Sequence, residues 1–147
     1  MGRPRVHVIY EYGVDFRPYS SAFIRLLRPL GHPQIAKRFK VTFGLDHWSD
    51  DIDIIIIDRL WRPDVTIKMA EGLVRRAQHS GSQLVYAIDD NLIDLEPRRL
   101  DLFSSGSLWP SAEQKRVVTL FLESADRVIV TTDSLRDAFS GLNANIW

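Results

Sequence analysis

Asp53-Ile54-Ile55-Ile56-Ile57-Asp58-Arg59 decides the fold. Four consecutive isoleucines leave no alternation by which one face could stay wet. A run this short and wholly β-branched reads as a strand covered on both faces, the mark of a parallel sheet with helices above and below it. The flanks agree. Upstream, Val6-His7-Val8-Ile9-Tyr10 reads as a first strand and Lys40 to Leu45 as a short second one. Downstream, Leu84 to Ile88 and Val128-Ile129-Val130 repeat the buried pattern.

Helical periods separate these strands. Ser20 or Ser21 can cap a helix with Phe23, Leu26, Leu27 and Leu30 inward, Pro29 in its last turn and Gly31 at its end. Asp64 can cap a second, with Ala70, Leu73, Val74 and Ala77 inward and Gly81 beyond it. Ser111 and Gln114 have capping-box spacing ahead of Val117, Val118, Phe121, Leu122 and Ala125. Thr132 or Asp133 opens a last helix through Leu135, Ala138 and Phe139. Strands alternating with such helices predict right-handed βαβ units, hence an α/β, Rossmann-like parallel sheet with helices on both faces. Leu142 to Trp147 begins to read as one more strand, and such an apolar end predicts that the natural chain continues.

Composition narrows the classes. The 147 residues fit one domain, and 45% hydrophobic with 26% charged residues fits a folded globular chain. Basic and acidic residues balance at 19 each, which argues against a nucleic-acid partner. There is no cysteine, so disulfides and thiolate metal sites are excluded. His7, His32, His47 and His79 share no metal-ligand spacing, so neither a metal nor a cofactor is expected. No apolar run is long enough to span a bilayer, and no secretory signal is visible. The expected location is cytoplasmic, with any membrane contact peripheral, at the inner face.

Open α/β sheets bind ligands beyond the carboxyl ends of their strands. Asp89-Asp90-Asn91 follows a buried strand directly and is the best site candidate. Adjacent carboxylates need a cation, a hydroxyl-rich ligand or a helix terminus to relieve them, and Asp and Asn grip sugar hydroxyls well. An Asx turn would use the same residues. As strand-end residues, Asp89 and Asp90 are expected to be solvated. In the loop Glu11 to Pro18, Gly13 and Arg17 are candidates to border the same depression. One glycine there does not make a dinucleotide fingerprint; a plain connector is the alternative. Arg59 is either an anion or hydroxyl contact, or half of an ion pair with Asp58. Asn91 to Pro110 lacks a clear period, and segments of that kind are commonly functional or mobile.

Three stretches carry a family resemblance. Ala125-Asp126-Arg127-Val128-Ile129-Val130-Thr131-Thr132-Asp133-Ser134-Leu135-Arg136 resembles the segment that closes the N-terminal domain of GT-B glycosyltransferases of the group 1 type. Phe23 to His32 resembles their first helix. Val85-Tyr86-Ala87-Ile88-Asp89-Asp90-Asn91-Leu92-Ile93-Asp94 resembles a stretch in bacterial polysaccharide and O-antigen transferases. The resemblance implies that residues 1–147 are the N-terminal, acceptor-side half of such an enzyme. It implies a partner domain holding the nucleotide sugar, a glycan or lipid-linked acceptor, and catalysis in the cleft between the halves without a bound metal. This half alone would then be inactive. The acceptor would meet Asp89, Asp90, Asn91, Arg59, Gly13 and Arg17.

A rival resemblance exists. Asp53 to Asp64 is also similar to the phosphoacceptor strand of a response-regulator receiver, with Asp58 as the phosphorylated residue. Only Glu11 follows the first strand where a receiver needs an acidic pair, and Thr131-Thr132 stands where it needs Lys. A non-catalytic binding or scaffold module is the third option.

Overall fold

A computed structural model describes residues 2–95 and 109–147. The strand elements are β1 (Arg5–Ile9), β2 (Lys40–Gly44), β3 (Ile54–Asp58), β4 (Gln83–Ala87) and β5 (Arg127–Ile129). They form one sheet in the order β2-β1-β3-β4-β5, every pairing parallel. The chain is therefore an α/β protein with a Rossmann-like sheet, as the isoleucine run predicts. Beyond β5, Ile146 forms a parallel bridge to Val128, and Trp147 N–H donates to the Val128 carbonyl at 2.9 Å. The chain end thus starts a rudimentary sixth strand.

The isoleucines alternate between two cores. Ile55 and Ile57 point with Ile9, Leu84, Tyr86 and Val128 into the larger one. That core is closed by α4 (Ile67–Ser80), α5 (Ala112–Ser124) and α6 (Asp133–Phe139). Ile56 points the other way with Val6, Val8, Val85 and Ala87, toward Leu26 of the first helical segment. Both faces of the sheet carry helix, three helices on the larger core and the first helical segment on the smaller.

Local chemistry explains the helix ends. Ser111 and Gln114 form the expected capping box on α5. Gly81 ends α4 in the left-handed region at φ 68, where a side chain would be strained. The cap of α4 is Thr66, not Asp64: the Thr66 hydroxyl accepts from Met69 N–H at 3.3 Å. Asp64 is occupied instead by a two-pronged bond from Arg62, at 2.6 and 2.9 Å. Thr66→Ala should cost about 1 kcal/mol of stability. Asp64→Ala, at an exposed pair, should stay within about 0.5 kcal/mol. Urea unfolding of the two variants reads both, and the reverse ranking would restore Asp64 as the cap.

The first helical segment departs further from expectation. It runs as α1 (Ser20–Ala22), a π-helical turn Phe23–Leu27 and α2 (Arg28–Leu30), followed by the short α3 (Pro33–Ala36). Tyr19 is the residue before the first turn, and no side chain caps it. The wider winding of the π turn rotates the following residues relative to an α period. Ala22 and Leu26 are buried, Leu27 and Leu30 are half-buried, and Phe23 faces solvent.

Candidate functional site

The carboxyl ends of β1, β3 and β4 converge on a network that, among the described residues, holds six charged side chains. Its centre is Arg59, the first residue beyond β3. Arg59 and Trp61 both have left-handed backbones, at φ 47 and φ 45. Each such non-glycine residue costs roughly 1–2 kcal/mol. The turn persists because it is held from every side. Arg59 N–H donates to the Ala87 carbonyl at 2.9 Å, and the Tyr86 hydroxyl donates to the Arg59 carbonyl at 3.0 Å. Trp61 is fully buried, with its ring edge-on to Phe121 at 5.5 Å.

That turn aims the Arg59 guanidinium at three carboxylates. Nη1 donates to Asp89 at 2.7 Å and to Asp90 at 2.9 Å. Nε lies 3.0 Å from Glu11 Oε2, an ion-pair contact rather than an aligned hydrogen bond. A second cation, Arg25, comes from the π turn. It donates to Asp58 at 2.6 Å and lies 3.1 Å from Asp89. The Ser21 hydroxyl donates to Asp89 at 2.8 Å, and Glu11 N–H donates to Asp58 at 3.1 Å. Four carboxylates thus share two guanidiniums.

The protonation states follow from burial and partners. Burial pushes Glu11 up to about 7, against the pull of Arg59. Burial also raises Asp58, against the pull of Arg25. Asp89 goes the other way: burial would raise it, but the Ser21 hydroxyl, Arg59 and Arg25 together hold it below the ordinary carboxylate range. Near pH 7 Glu11 is therefore partly protonated, which relieves part of the excess negative charge.

A cavity of about 550 Å³ opens on one side of this network. Glu11, Arg59, Asp90 and Arg62 form its polar wall, and Tyr19 and Trp109 bring aromatic surface. Among the described residues, no group of three or more His, Asp or Glu is arranged to hold a metal ion. The two guanidiniums occupy the space between the carboxylates.

The expected site residues divide. Arg59 and Asp90 line the cavity, and the Asp90 side chain is more than half exposed. Asp89 joins them through Arg59 but is not the solvated residue expected from its strand-end position. Its side chain is 18% exposed and ties Ser21, Arg25 and Arg59 together. Asn91 forms a turn, bonding Asp94 at 2.8 Å, and does not line the cavity. Gly13 and Arg17 do not line it either. The loop closes on itself through an antiparallel bridge between Tyr12 and Pro18, which puts its tip in solvent. Arg17 there faces Asp15 at 3.7 Å. In the segment Asn91 to Pro110, residues 96–108 lie outside the described residues.

Asp58 pairs with Arg25 rather than Arg59, and its side chain is fully buried. A phosphoacceptor must meet its phosphodonor in solvent, so this placement argues against the receiver reading. Sequence reasoning missed Ser21 and Arg25 as site members, and it had Glu11 inside the candidate loop without singling it out. Ser21 and Arg25 stand four apart, a spacing that puts both on one helical stripe, beside the inward Leu26. Among protein-family models, curated proteins and solved structures, none matches this chain.

Proposed function

We propose that this domain binds a glycan acceptor in the cavity beside Glu11, Arg59 and Asp90, as the acceptor-side half of a glycosyltransferase. A second, nucleotide-sugar-binding domain would complete the enzyme, so this half alone turns nothing over: one wall of a cleft cannot assemble a transition state.

One observation carries the reading. The Arg59–Asp90 pair and the aromatic side chains of Tyr19 and Trp109 line the same concavity. Sugars offer hydroxyls to carboxylates and guanidiniums, and apolar C–H faces to aromatic rings. The pair is already hydrogen-bonded, so its groups are held in place before a ligand arrives. The resemblance of Val85 to Asp94 to polysaccharide transferases supports the same class.

The test is binding by this chain to an array of neutral oligosaccharides, followed by calorimetry on those retained. Asp90→Asn keeps the shape and removes the charge-assisted bond, a loss of about 1.5–3 kcal/mol. Affinity should fall roughly ten- to hundred-fold. Thermal stability should hold, because the Asp90 side chain is largely in water. If no glycan binds, or Asp90→Asn binds as the parent does, the reading fails.

A further inference from the structure

Carboxylates outnumber guanidiniums at the cavity and behind its wall. Arg59 directs Nη1 to Asp89 at 2.7 Å and Asp90 at 2.9 Å. It meets Glu11 only through Nε, at 3.0 Å and without an aligned hydrogen bond. Arg25 is held by Asp58 and Asp89. Arg62, the other cation of the lining, grips Asp64 at 2.6 and 2.9 Å and Asp46 at 2.9 Å. Among the described residues, three guanidiniums thus answer six carboxylates. Both cations in the lining are already committed to carboxylates.

Glu11 shows the shortage most directly. It faces Arg59 and Asp58 at the end of β3, and Tyr86 of β4 with Asp89 beyond it. Its side chain is 12% exposed yet lines the cavity, so a ligand can reach it from that side. Burial pushes its pKa up to about 7, with Asp58 and Asp89 adding to the rise and Arg59 opposing it. A proton therefore sits part of the time where a fixed positive charge is missing. Asp90, on another nitrogen of the same guanidinium, opens to the same cavity.

We propose that the sugar bound in this cavity is an amino sugar, whose protonated amine seats between Glu11 and Asp90. The inference rests on the glycan reading and names the chemistry of its ligand. The alternatives fit less well. A phosphorylated sugar brings negative charge to guanidiniums already bonded to carboxylates, and it must displace one of them to bind. A metal ion needs several oxygen ligands around it, and among the described residues no such group exists. A plain hydroxyl satisfies Asp90 but adds no positive charge. An ammonium adds one, and its three donors on a compact centre can be shared between two carboxylates. Tyr19 and Trp109 line the same cavity, and aromatic rings attract a cation as well as apolar C–H surface.

Calorimetry on this chain tests it with glucosamine and galactosamine oligomers, each compared with its N-acetylated form and with the parent hydroxyl sugar. In any series that binds, the free amine at pH 7 should bind at least about ten-fold tighter than either counterpart. The preference should shrink as the pH falls to 5.5, although the amine is more fully charged there, because Glu11 takes up its proton. Glu11→Gln should cut the preference to about three-fold or less and remove its pH dependence. Asp90→Asn should cut it likewise with unchanged Tm, because that side chain is largely in water. Glucose 6-phosphate should not compete. Three results would overturn the amine assignment and leave the glycan reading in place: hydroxyl or N-acetyl forms that bind as tightly as the amine, a preference that grows toward pH 5.5 or survives both variants, or competition by the sugar phosphate. If no oligomer of any form binds, both readings fall.

Discussion

Arg25→Ala should lower the unfolding free energy by about 3–5 kcal/mol, and with it Tm by roughly ten degrees. The reason lies in what it leaves behind. Asp58 is fully buried, and among the described residues Arg25 supplies the only opposite charge bonded to it. Without the guanidinium, the carboxylate keeps one backbone donor, Glu11 N–H. An uncompensated buried charge is worth far more as a penalty than the pair is worth as a bond. The loss has a ceiling, because Asp58 can take up a proton. Burial already raises its pKa against Arg25, and removing Arg25 lets burial act unopposed. The damage should therefore be largest above neutral pH and shrink in acid. Asp58→Asn in the Arg25→Ala background removes the orphan charge and should recover part of the loss. Denaturant unfolding of the two variants at pH 8 and pH 5 checks this. A loss below about 1 kcal/mol, or no recovery, would show that water reaches Asp58 and that the pair is ornamental.

That pair also marks the limit of what could be read before the structure. Ile54 to Ile57 was legible because burial on both faces is written in consecutive residues. The position of Asp89 and Asp90 at the sheet's carboxyl edge followed from the same strand order. The partners did not. Arg25 meets Asp58 across 33 residues, and nothing local in either segment names the other. Phe23 was assigned inward because an α period puts it there; the π turn that rotates it outward leaves no mark in hydrophobic spacing. Gly13 and Arg17 were placed at the depression by loop position alone. The Tyr12–Pro18 bridge, which turns that loop back on itself, is a pairing between residues without strand character. Asp64 was read as the cap of α4 from its place ahead of the apolar period; Arg62 takes its carboxylate, and Thr66, two residues on, caps the helix instead. Local pattern fixed the elements, while non-local ion pairs chose which polar residues became the site.

Glu11→Gln should flatten the pH dependence of stability expected of the parent chain between about pH 4.5 and 7. In the folded protein Glu11 holds its proton up to about 7, whereas its ordinary value is 4.5. Between those values the folded state carries a proton that the unfolded chain has released. Stability must then fall as pH rises through this window, by about 1.4 kcal/mol per pH unit and up to about 3 kcal/mol in all, and level off above it. Asp58, also raised, slopes in the same direction, so the evidence is the difference between parent and variant rather than either curve alone. Asp89, held low, acts only at more acid pH, where falling pH removes its contribution. Gln keeps the size and the hydrogen-bonding ends of a protonated Glu and cannot ionise. The variant should match the parent near pH 4.5 and exceed it above pH 7, even though it gives up the charge facing Arg59 at 3.0 Å. The burial cost of the carboxylate outweighs that attraction, which is why its pKa rises at all. Glu11 also lines the cavity, so the same proton should be felt by a ligand. A hydroxyl can donate to an ionised Glu11 and accept from a protonated one, so affinity should change near pH 7 in the parent and stay flat there in Glu11→Gln. Thermal denaturation across pH 4 to 9, with binding measured at the same points, decides the matter. Parallel stability curves for parent and variant would mean that Glu11 titrates normally, with water rather than Arg59 and the network setting its charge.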